Sequence, residues 1–333
     1  FQAFIDLANR FSGMNPEARY FLDDFEVNPF VAEGGRLAPL DGVCRFRPAV
    51  ARRAARPVDK LGHLLEPRSA AVIGVSPRSH NMGRIILGNM LEGGFEKERL
   101  HVVHPSALEI DGVACVPSVA ELPEKVDLFV VAVGASQVTA VVDDLIEHDR
   151  AETVILIPGG IGEKQGSGEL AEGLMQRIHE AHLSDSGGPL FLGGNSLGVI
   201  SRPGRYDTMF IPEIKLPKKG FDDASGLCFI SQSGAFIIST LSDEPWLKPT
   251  YALSIGNQLD VTAGDLLSYL KDDPRIEVFA VYVEGFRPCD GYAFAAAVKE
   301  AVSLGKDVVF YKAGRTSEGR SATAGHTASV AGD

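Results

Sequence analysis

The sequence predicts an α/β protein with two doubly wound parallel sheets, and three observations lead there. From about residue 61 onward, short β-rich runs alternate with helical stretches, the order that places helices between parallel strands. The runs are apolar throughout instead of alternating with polar residues, as strands covered on both faces must be. Two of them end in polar, glycine-containing turns that open a helix, Gly74-Val-Ser76 and Ser231-Gln232-Ser233-Gly234.

In chain order, residues 1–46 read as a helix, a strand over 21–27, a turn at Glu33-Gly34-Gly35 and a second strand ending at Leu40-Asp41-Gly42. That is too little to bury a core. Residues 47–60 are rich in Ala, Arg and Pro with no apolar period, so a linker is expected. The first α/β unit, 61–215, has expected strands over 70–75, 100–104, 127–133, 153–157 and 189–192, and helices over 83–91, 136–148 and 169–182. A stretch rich in Pro, Lys and Gly, Lys215 to Gly220, separates it from a second unit, 222–333. Strands are expected there over 226–230, 250–254, 278–283 and 307–311.

The 333 residues carry 45% hydrophobic side chains and a net charge of -12. An acidic balance argues against a nucleic-acid partner, because phosphate backbones require a basic face. No run approaches ~18 uninterrupted apolar residues, which excludes a membrane-spanning helix. Cys44, Cys115, Cys228 and Cys289 lie far apart without a CxxC pair, which fits neither zinc nor a disulfide framework. They are expected to be buried thiols in a reducing cytoplasm. The chain opens at Phe1 without an initiator Met, so a piece of a longer polypeptide is expected.

Each strand-to-helix turn is a ready anion site, since free backbone amides and the helix dipole both favour negative charge. The first turn, around Gly74, Ser76, Gly83 and Arg84, suits a nucleotide-like ligand with phosphates. It lacks GxGxxG, and the second strand ends in Val103-His104-Pro105 where a ribose-binding carboxylate would stand, which disfavours a nicotinamide enzyme. The second turn, with the hydroxyls of Ser231 and Ser233, suits a phosphoryl group; helix capping by either serine is the simpler alternative. Near the end, His326 stands alone in a run of Gly, Ala, Ser and Thr. Such a loop can be an ordinary surface segment, or it can carry a nucleophilic imidazole that accepts a phosphoryl group at one site and delivers it at another.

Together, Glu66 to Gly74, Val103-His104-Pro105, Pro158-Gly-Gly160-Ile-Gly-Glu163 and Gly194-Asn195-Ser-Leu-Gly198 resemble the CoA-binding domain of the NDP-forming acyl-CoA synthetases. That superfamily includes succinyl-CoA synthetase and ADP-forming acetyl-CoA synthetase. The resemblance runs in the same order from about residue 61 to 333. It implies a Rossmann-like CoA-binding domain and a flavodoxin-like, succinyl-CoA ligase-like domain. Asp24-Phe-Glu26-Val-Asn28-Pro29 and Leu40-Asp41-Gly42 resemble the C-terminal end of an ATP-grasp domain. Departures occur at His104, where Asn is usual, after Pro105, where a Lys is absent, and at Gln258 and Thr262, where acidic residues are usual.

The resemblance implies a ligase that makes acyl-CoA from a small carboxylate, CoA and ATP, releasing ADP and phosphate through a phosphohistidine and an acyl phosphate. His326 would be the carrier and Glu284 the carboxylate that orients it. Ser231, Gln232, Ser233 and Gly234 would hold the phosphoryl group. Gly74, Ser76, Gly83, Arg84, His104, Pro105, Gly160 and Asn195 would serve CoA, with Asn195 at the junction of thiol and carboxylate. Asn257 and Asp260 match the family run, and Lys312 and Arg315 could neutralise phosphate. Asn28 and Asp41 would hold Mg²⁺ with the remainder of the ATP-grasp module, hard oxygen ligands being what that ion takes. A non-catalytic module that senses CoA or nucleotide within a regulatory or acyltransferase protein is the alternative. The carboxylate, the choice of ATP or GTP, and the oligomeric state, a homodimer included, stay open.

Overall fold

The computed structural model describes residues 2–12, 15, 17–49, 56–163, 166–212, 215–216, 221–287 and 290–314. The chain divides into two compact units, Phe1–Arg53 and Ala54–Asp333.

The small unit holds helix α1 (Gln2–Arg10) and strands β1 (Tyr20–Val27), β2 (Phe30–Glu33), β3 (Arg36–Pro39) and β4 (Gly42–Pro48). β1 pairs antiparallel with β4 and β2 with β3. Gly34 and Gly35 turn the second hairpin at φ of 58° and 78°, the left-handed geometry that a two-residue hairpin turn requires. The sequence reading missed β2 as a separate strand and β4 altogether, and its linker began two residues inside β4. Pro29 and Pro39 break the apolar runs there, and Arg45 and Arg47 hide the strand by pairing with Asp24 and Asp23 across the ladder. No described residue of this unit is buried, in line with the expectation that it cannot make its own core.

The large unit begins with the short helix α2 (Leu61–Leu65). There follow β5 (Ala70–Ile73), α3 (Met82–Gly93), β6 (Leu100–Val103), β7 (Glu109–Ile110), β8 (Val113–Val116), β9 (Val126–Val131), α4 (Ala135–Glu147), β10 (Ala151–Leu156), α5 (Gly168–His182) and β11 (Leu190–Gly193). These strands form one sheet in the order β11-β10-β9-β5-β6-β8-β7. All its pairs are parallel except the β7–β8 hairpin. β9 is buried at every position; four of its residues are the apolar run Leu128 to Val131, and Asp127 is held by His63, Arg68 and the Arg68 amide. The order reverses beside β5, and ligands of such sheets bind at that switch point, outside the carboxyl ends of the strands.

Next come β12 (Val199–Ser201), β13 (Tyr206–Asp207), β14 (Leu227–Ser231), α6 (Gly234–Asp243), β15 (Tyr251–Ser254), α7 (Ala263–Leu270), β16 (Val278–Val283), α8 (Asp290–Ser303) and β17 (Asp307–Lys312). The second sheet runs β13-β12-β15-β14-β16-β17. Its first two strands come from residues that the sequence reading allotted to the first unit. They are antiparallel and three or two residues long, too short for a periodic pattern to reveal.

One continuous apolar core joins both sheets through Leu61, Leu64 and Leu65 of α2. The Tyr206 hydroxyl donates to Leu64 O at 2.6 Å and the Ser201 hydroxyl to Leu65 O at 2.5 Å. Arg56 adds ion pairs to Asp265 at 2.9 Å and Asp290 at 3.2 Å. Among the cysteines, Cys228 is buried as expected and its thiol pKa is pushed up by burial. Cys44, however, is exposed on β4 and Cys115 is half-buried; Cys289 lies outside the described residues.

Candidate functional site

A cleft of about 590 Å³ opens at the carboxyl ends of β5, β6 and β9, where the strand order reverses. Gly74, Ser76, His104, Pro105, Gly134 and Gln137 are among the residues lining it. Glycine is dictated at two points. Gly74 has φ of 94° and a Cβ there would collide with the Ala132 carbonyl, while a Cβ on Gly83 would stand 2.5 Å from Gly74 O. Helix α3 therefore starts almost in contact with β5, and Asn81, the residue before its first turn, lines the cleft.

Asn81 shapes this turn, and the sequence reading passed over it. Its Oδ1 accepts from Arg84 N and Ser76 N, each at 3.1 Å, and its Nδ2 donates to Gly74 O at 2.7 Å. One side chain thus caps α3 and pins the loop that precedes it. The signal was legible, since Asn stands directly before an apolar helical run. Arg84 is differently placed: its guanidinium donates to Asp111 at 2.6 and 3.0 Å and to the carbonyls of Ser76 and Pro77. It braces the loop from behind, and it is not among the residues lining the cleft. His104 uses Nδ1 as an acceptor for Ala107 N at 3.0 Å and Ser106 N at 3.3 Å. An Asn at this position would offer its Oδ1 to the same two amides, so the departure from the family pattern keeps the turn.

A second group of polar residues lies where the two sheets meet. The loop after β15 runs beside β11: Asn257 N donates to Gly194 O at 2.8 Å, Leu259 N to Gly193 O at 2.7 Å and Val261 N to Phe191 O at 3.0 Å. This places Asn257 next to Asn195 and Gly160, at the carboxyl ends of β15, β11 and β10. Asn257 Nδ2 donates to Ile161 O at 2.9 Å and to Glu163 Oε2 at 2.8 Å. The other carboxylate oxygen of Glu163 accepts from Gly160 N. Glu163 is a second residue that sequence reasoning quoted in a motif without assigning it a role. Asp260 accepts from Phe191 N and from His182 Nε2, both at 3.0 Å, so it ties the sheets together away from the cleft. Burial opposes protonation of His182, yet the hydrogen bond and charge of Asp260 outweigh it and raise the imidazole pKa.

The carboxyl ends of β14, β16 and β17 adjoin this junction. Ser231 pairs in register with Ser254 and Tyr282, and Val283 with Lys312, so the Ser231–Gly234 turn, Glu284 and Lys312 leave neighbouring strand ends. Ser233 caps α6 by accepting from Phe236 N at 3.4 Å, and the Ser231 hydroxyl donates to Ser233 O at 2.8 Å. Gly234 is required because a Cβ would lie 2.7 Å from Leu197 Cβ, in the loop that carries Asn195. Glu284 is 4% exposed. Tyr282 has its phenol pKa pushed up by burial and then by the charge and hydrogen bond of Glu284. Gln232, 2% exposed, accepts from Glu284 N at 2.8 Å, while its buried Nε2 has no partner among the described residues. A buried amide donor left unmatched at the start of a helix is what a bound anion would satisfy.

In the small unit, Asn28 and Asp41 sit side by side just beyond the end of the β1–β4 ladder, Asn28 N donating to Asp41 O at 3.2 Å. Two oxygen ligands fit a Mg²⁺ whose other ligands are phosphate and water. No group of three or more His, Cys, Asp or Glu that could hold a metal occurs among the described residues. No helix among them is long and apolar enough to cross a membrane. His326 and Arg315 lie outside the described residues.

Comparison with known proteins agrees with this layout. A CoA binding domain model matches residues 68–189, and a succinyl-CoA ligase like flavodoxin domain model matches residues 224–333. The alpha subunit of ADP-forming acetate–CoA ligase I from Pyrococcus furiosus is 33% identical over 276 residues, covering 81% of this chain and 56% of that protein. ADP-forming acetate–CoA ligase II from Archaeoglobus fulgidus is 29% identical and covers 93% of this chain, more than the large unit alone supplies, and 44% of that protein. The structure of acetyl-coenzyme A synthetase 1 from Ca. Korarchaeum cryptofilum, in complex with phosphate and ADP, superposes with a TM-score of 0.71 at 34% identity. It covers 82% of this chain and 56% of that one. The chain thus spans about half the length of the relatives it matches. Fold and site define a CoA-binding domain followed by a flavodoxin-like domain of the succinyl-CoA ligase kind. The chain belongs to the NDP-forming acyl-CoA synthetase superfamily.

Proposed function

We propose that this chain carries the CoA-binding and phosphohistidine parts of an NDP-forming acyl-CoA synthetase. The observation that bears most of this reading is the meeting of the α6 N-terminus, the buried Glu284 and the unmatched Gln232 Nε2 at one strand edge. In the direction that consumes acyl-CoA, phosphate attacks the thioester carbonyl; the C–S bond breaks, CoA leaves as thiolate and takes a proton, and an acyl phosphate forms. His326 then attacks phosphorus, releasing the carboxylate and holding the phosphoryl group on a ring nitrogen. ADP takes it from there. Gly74, Ser76, Gly83, His104 and Pro105 hold CoA, with Gly160 and Asn195 toward the junction. Ser231, Gln232, Ser233 and Gly234 hold the phosphoryl group. A carboxylate beside an imidazole orients it and makes it more basic, which is the role assigned to Glu284.

The small unit is assigned as the C-terminal part of an ATP-grasp domain, with Asn28 and Asp41 contributing to Mg²⁺, an ion that neutralises nucleotide phosphates when bound. Its lack of buried residues and the 93% match to the Archaeoglobus protein support this assignment. Lys312, at the strand end next to Glu284, is a further candidate to neutralise phosphate.

The test is to incubate the chain with ³²P-phosphate and a panel of acyl-CoAs. Acid-labile, base-stable label that is lost in His326→Ala is the expected result, and the acyl-CoA that supports it names the substrate. Full labelling of His326→Ala would overturn the carrier role. Glu284→Gln should slow labelling and leave CoA binding intact.

A further inference from the structure

We propose that Tyr282 is a positioning residue for the phosphorylation of His326, acting through Glu284, whose carboxylate its phenol holds in place. The proposal rests on the reading of Glu284 as the group that orients His326 and adds the side chain that fixes Glu284 itself.

Tyr282 and Glu284 stand two residues apart at the carboxyl end of β16, and the period of a strand turns both side chains toward one face. On that face lies α6, whose Phe236 ring stacks on Tyr282 with centroids 4.5 Å apart and planes at 25°. Tyr311, the cross-strand partner of Tyr282 on β17, stacks at 5.6 Å and 16°. Phe236 in turn meets the buried Phe229 edge-on at 5.9 Å and 81°. A ring flanked by two nearly parallel rings has little freedom to tilt. Phe236 and Tyr311 remain 39% and 61% exposed, so the row fixes a ring at the surface and does not fill the core.

The phenol fixed in this way meets Glu284. Burial pushes the phenol pKa up, and the charge and hydrogen bond of Glu284 push it the same way. The phenol therefore keeps its proton and donates, and the carboxylate accepts. Glu284 is 4% exposed, so its oxygens depend on protein donors. Its backbone N is held separately, donating to Gln232 Oε1 at 2.8 Å. With the main chain tied to the α6 turn and the carboxylate tied to the phenol, Glu284 has a set direction. A carboxylate offers about four lone-pair sites, so it can accept an imidazole N–H and keep the phenol. The three rings belong to α6, β16 and β17, the elements whose ends carry Ser231–Gly234, Glu284 and Lys312. The row thus also holds those groups in register with one another.

The experiment follows the rate of ³²P uptake from inorganic phosphate in the full chain, with the acyl-CoA that supports labelling, and in Tyr282→Phe, Glu284→Gln and the double variant; thermal unfolding checks that each folds. Tyr282→Phe keeps the ring and its stacking and loses only the hydroxyl. It should slow labelling about tenfold, as loss of one hydrogen bond to a charged group does, and leave unchanged both the acyl-CoA concentration for half-maximal rate and the unfolding midpoint. On the Glu284→Gln background the same change should cost only about threefold, because the phenol then meets a neutral oxygen and charge-assisted hydrogen bonds are about twice as strong as neutral ones. An equal tenfold loss on both backgrounds would place the effect of the phenol elsewhere and overturn the proposal. Labelling of Tyr282→Phe at the unmutated rate would overturn it too, leaving the role of Glu284 standing. A Glu284→Gln chain that labels at the full rate would remove Glu284 from the reaction and this inference with it. Absence of label from the unmutated chain would sink the phosphohistidine reading itself.

Discussion

The carboxyl ends of the two sheets are built on opposite plans. At the first sheet, the turn that opens into the cleft has its polar groups engaged: Asn81 uses Oδ1 and Nδ2, and Arg84 is consumed by Asp111 and two carbonyls. The cleft is shaped by glycine and backbone, and it is preformed. At the second, a network of the buried Gln232, Gln258 and Asn257 with the half-buried Glu163 leaves two side-chain atoms without a partner among the described residues, Gln232 Nε2 and Asn257 Oδ1. An unpaired buried donor costs about 1–3 kcal/mol, a cost that a bound anion would offset. The difference fits the two proposed tasks. A long ligand with many weak contacts needs shape, whereas a small, highly charged group needs oriented donors.

The sharpest way to break the contrast is Gly74→Val. The substitution forces a β-branched residue into positive φ against the Ala132 carbonyl, and should cost about 3 kcal/mol or more of stability and abolish CoA binding. Denaturant unfolding and a CoA titration read both. A stable variant that binds CoA would mean that the turn is not shape-limited.

Next in size is Asp260→Asn, which tests whether the junction behind the second site is structural. With partners 2% and 5% exposed in their side chains, losing the charge should cost about 2–3 kcal/mol. The sign with pH follows from the raised pKa of His182. Stability gained from a raised pKa is fully present below the ordinary value of 6.5 and is lost as pH rises through the folded value. The gap between the unmutated chain and Asp260→Asn should therefore be widest in mild acid and narrow toward alkaline pH. A gap that widens with pH would show that His182 folds neutral.

Much of this was legible in the sequence because strands covered on both faces leave unbroken apolar runs. The principal parallel strands, β5, β6, β9, β10, β11, β14, β15, β16 and β17, all fall where such runs predict. β12 and β13 were not legible, because antiparallel strands of two or three residues carry no period and their place is set by α2 and Tyr206. Of the candidate residues reached by resemblance, Gly74, Ser76, His104 and Pro105 line the cleft of the first sheet, and Ser231 to Gly234, Glu284 and Lys312 leave neighbouring strand ends of the second. Asn28 and Asp41 lie in the small unit, and His326 and Arg315 outside the described residues. Glu163 and Gln258 were readable only as letters in motifs, since their hydrogen bonds reach loops distant in sequence, such as Asn257 to Glu163 and Gln258 to Gln232, whereas the partners of Asn81 are local and its cap signal was legible.

Asn81→Ala comes third. It removes the helix cap and both ties to the loop, so about 1–2 kcal/mol of stability should go along with part of the CoA affinity, read by the same two measurements. Because the glycines still define the cleft, affinity should fall less than for Gly74→Val. An Asn81→Ala variant that loses CoA binding completely while staying folded would move the asparagine from shaping the turn to touching the ligand.

The smallest effect distinguishes bracing from recognition at one residue. A cation beside a phosphate-binding turn is ordinarily counted as a ligand for phosphate, and the family resemblance with its place in the turn assigned Arg84 that role. Its guanidinium, however, is bidentate on Asp111 and also held by two carbonyls, so turning to a ligand would mean giving up four hydrogen bonds already made. Arg84→Gln should therefore cost under about 1 kcal/mol, as partly exposed ion pairs do, and leave the CoA dissociation constant within about threefold. A tenfold loss of affinity that grows as salt is lowered would show the guanidinium meeting CoA phosphate directly. In that event the first cleft, like the second, would depend on a charge released to its ligand, and the contrast between the two sites would narrow to one of degree.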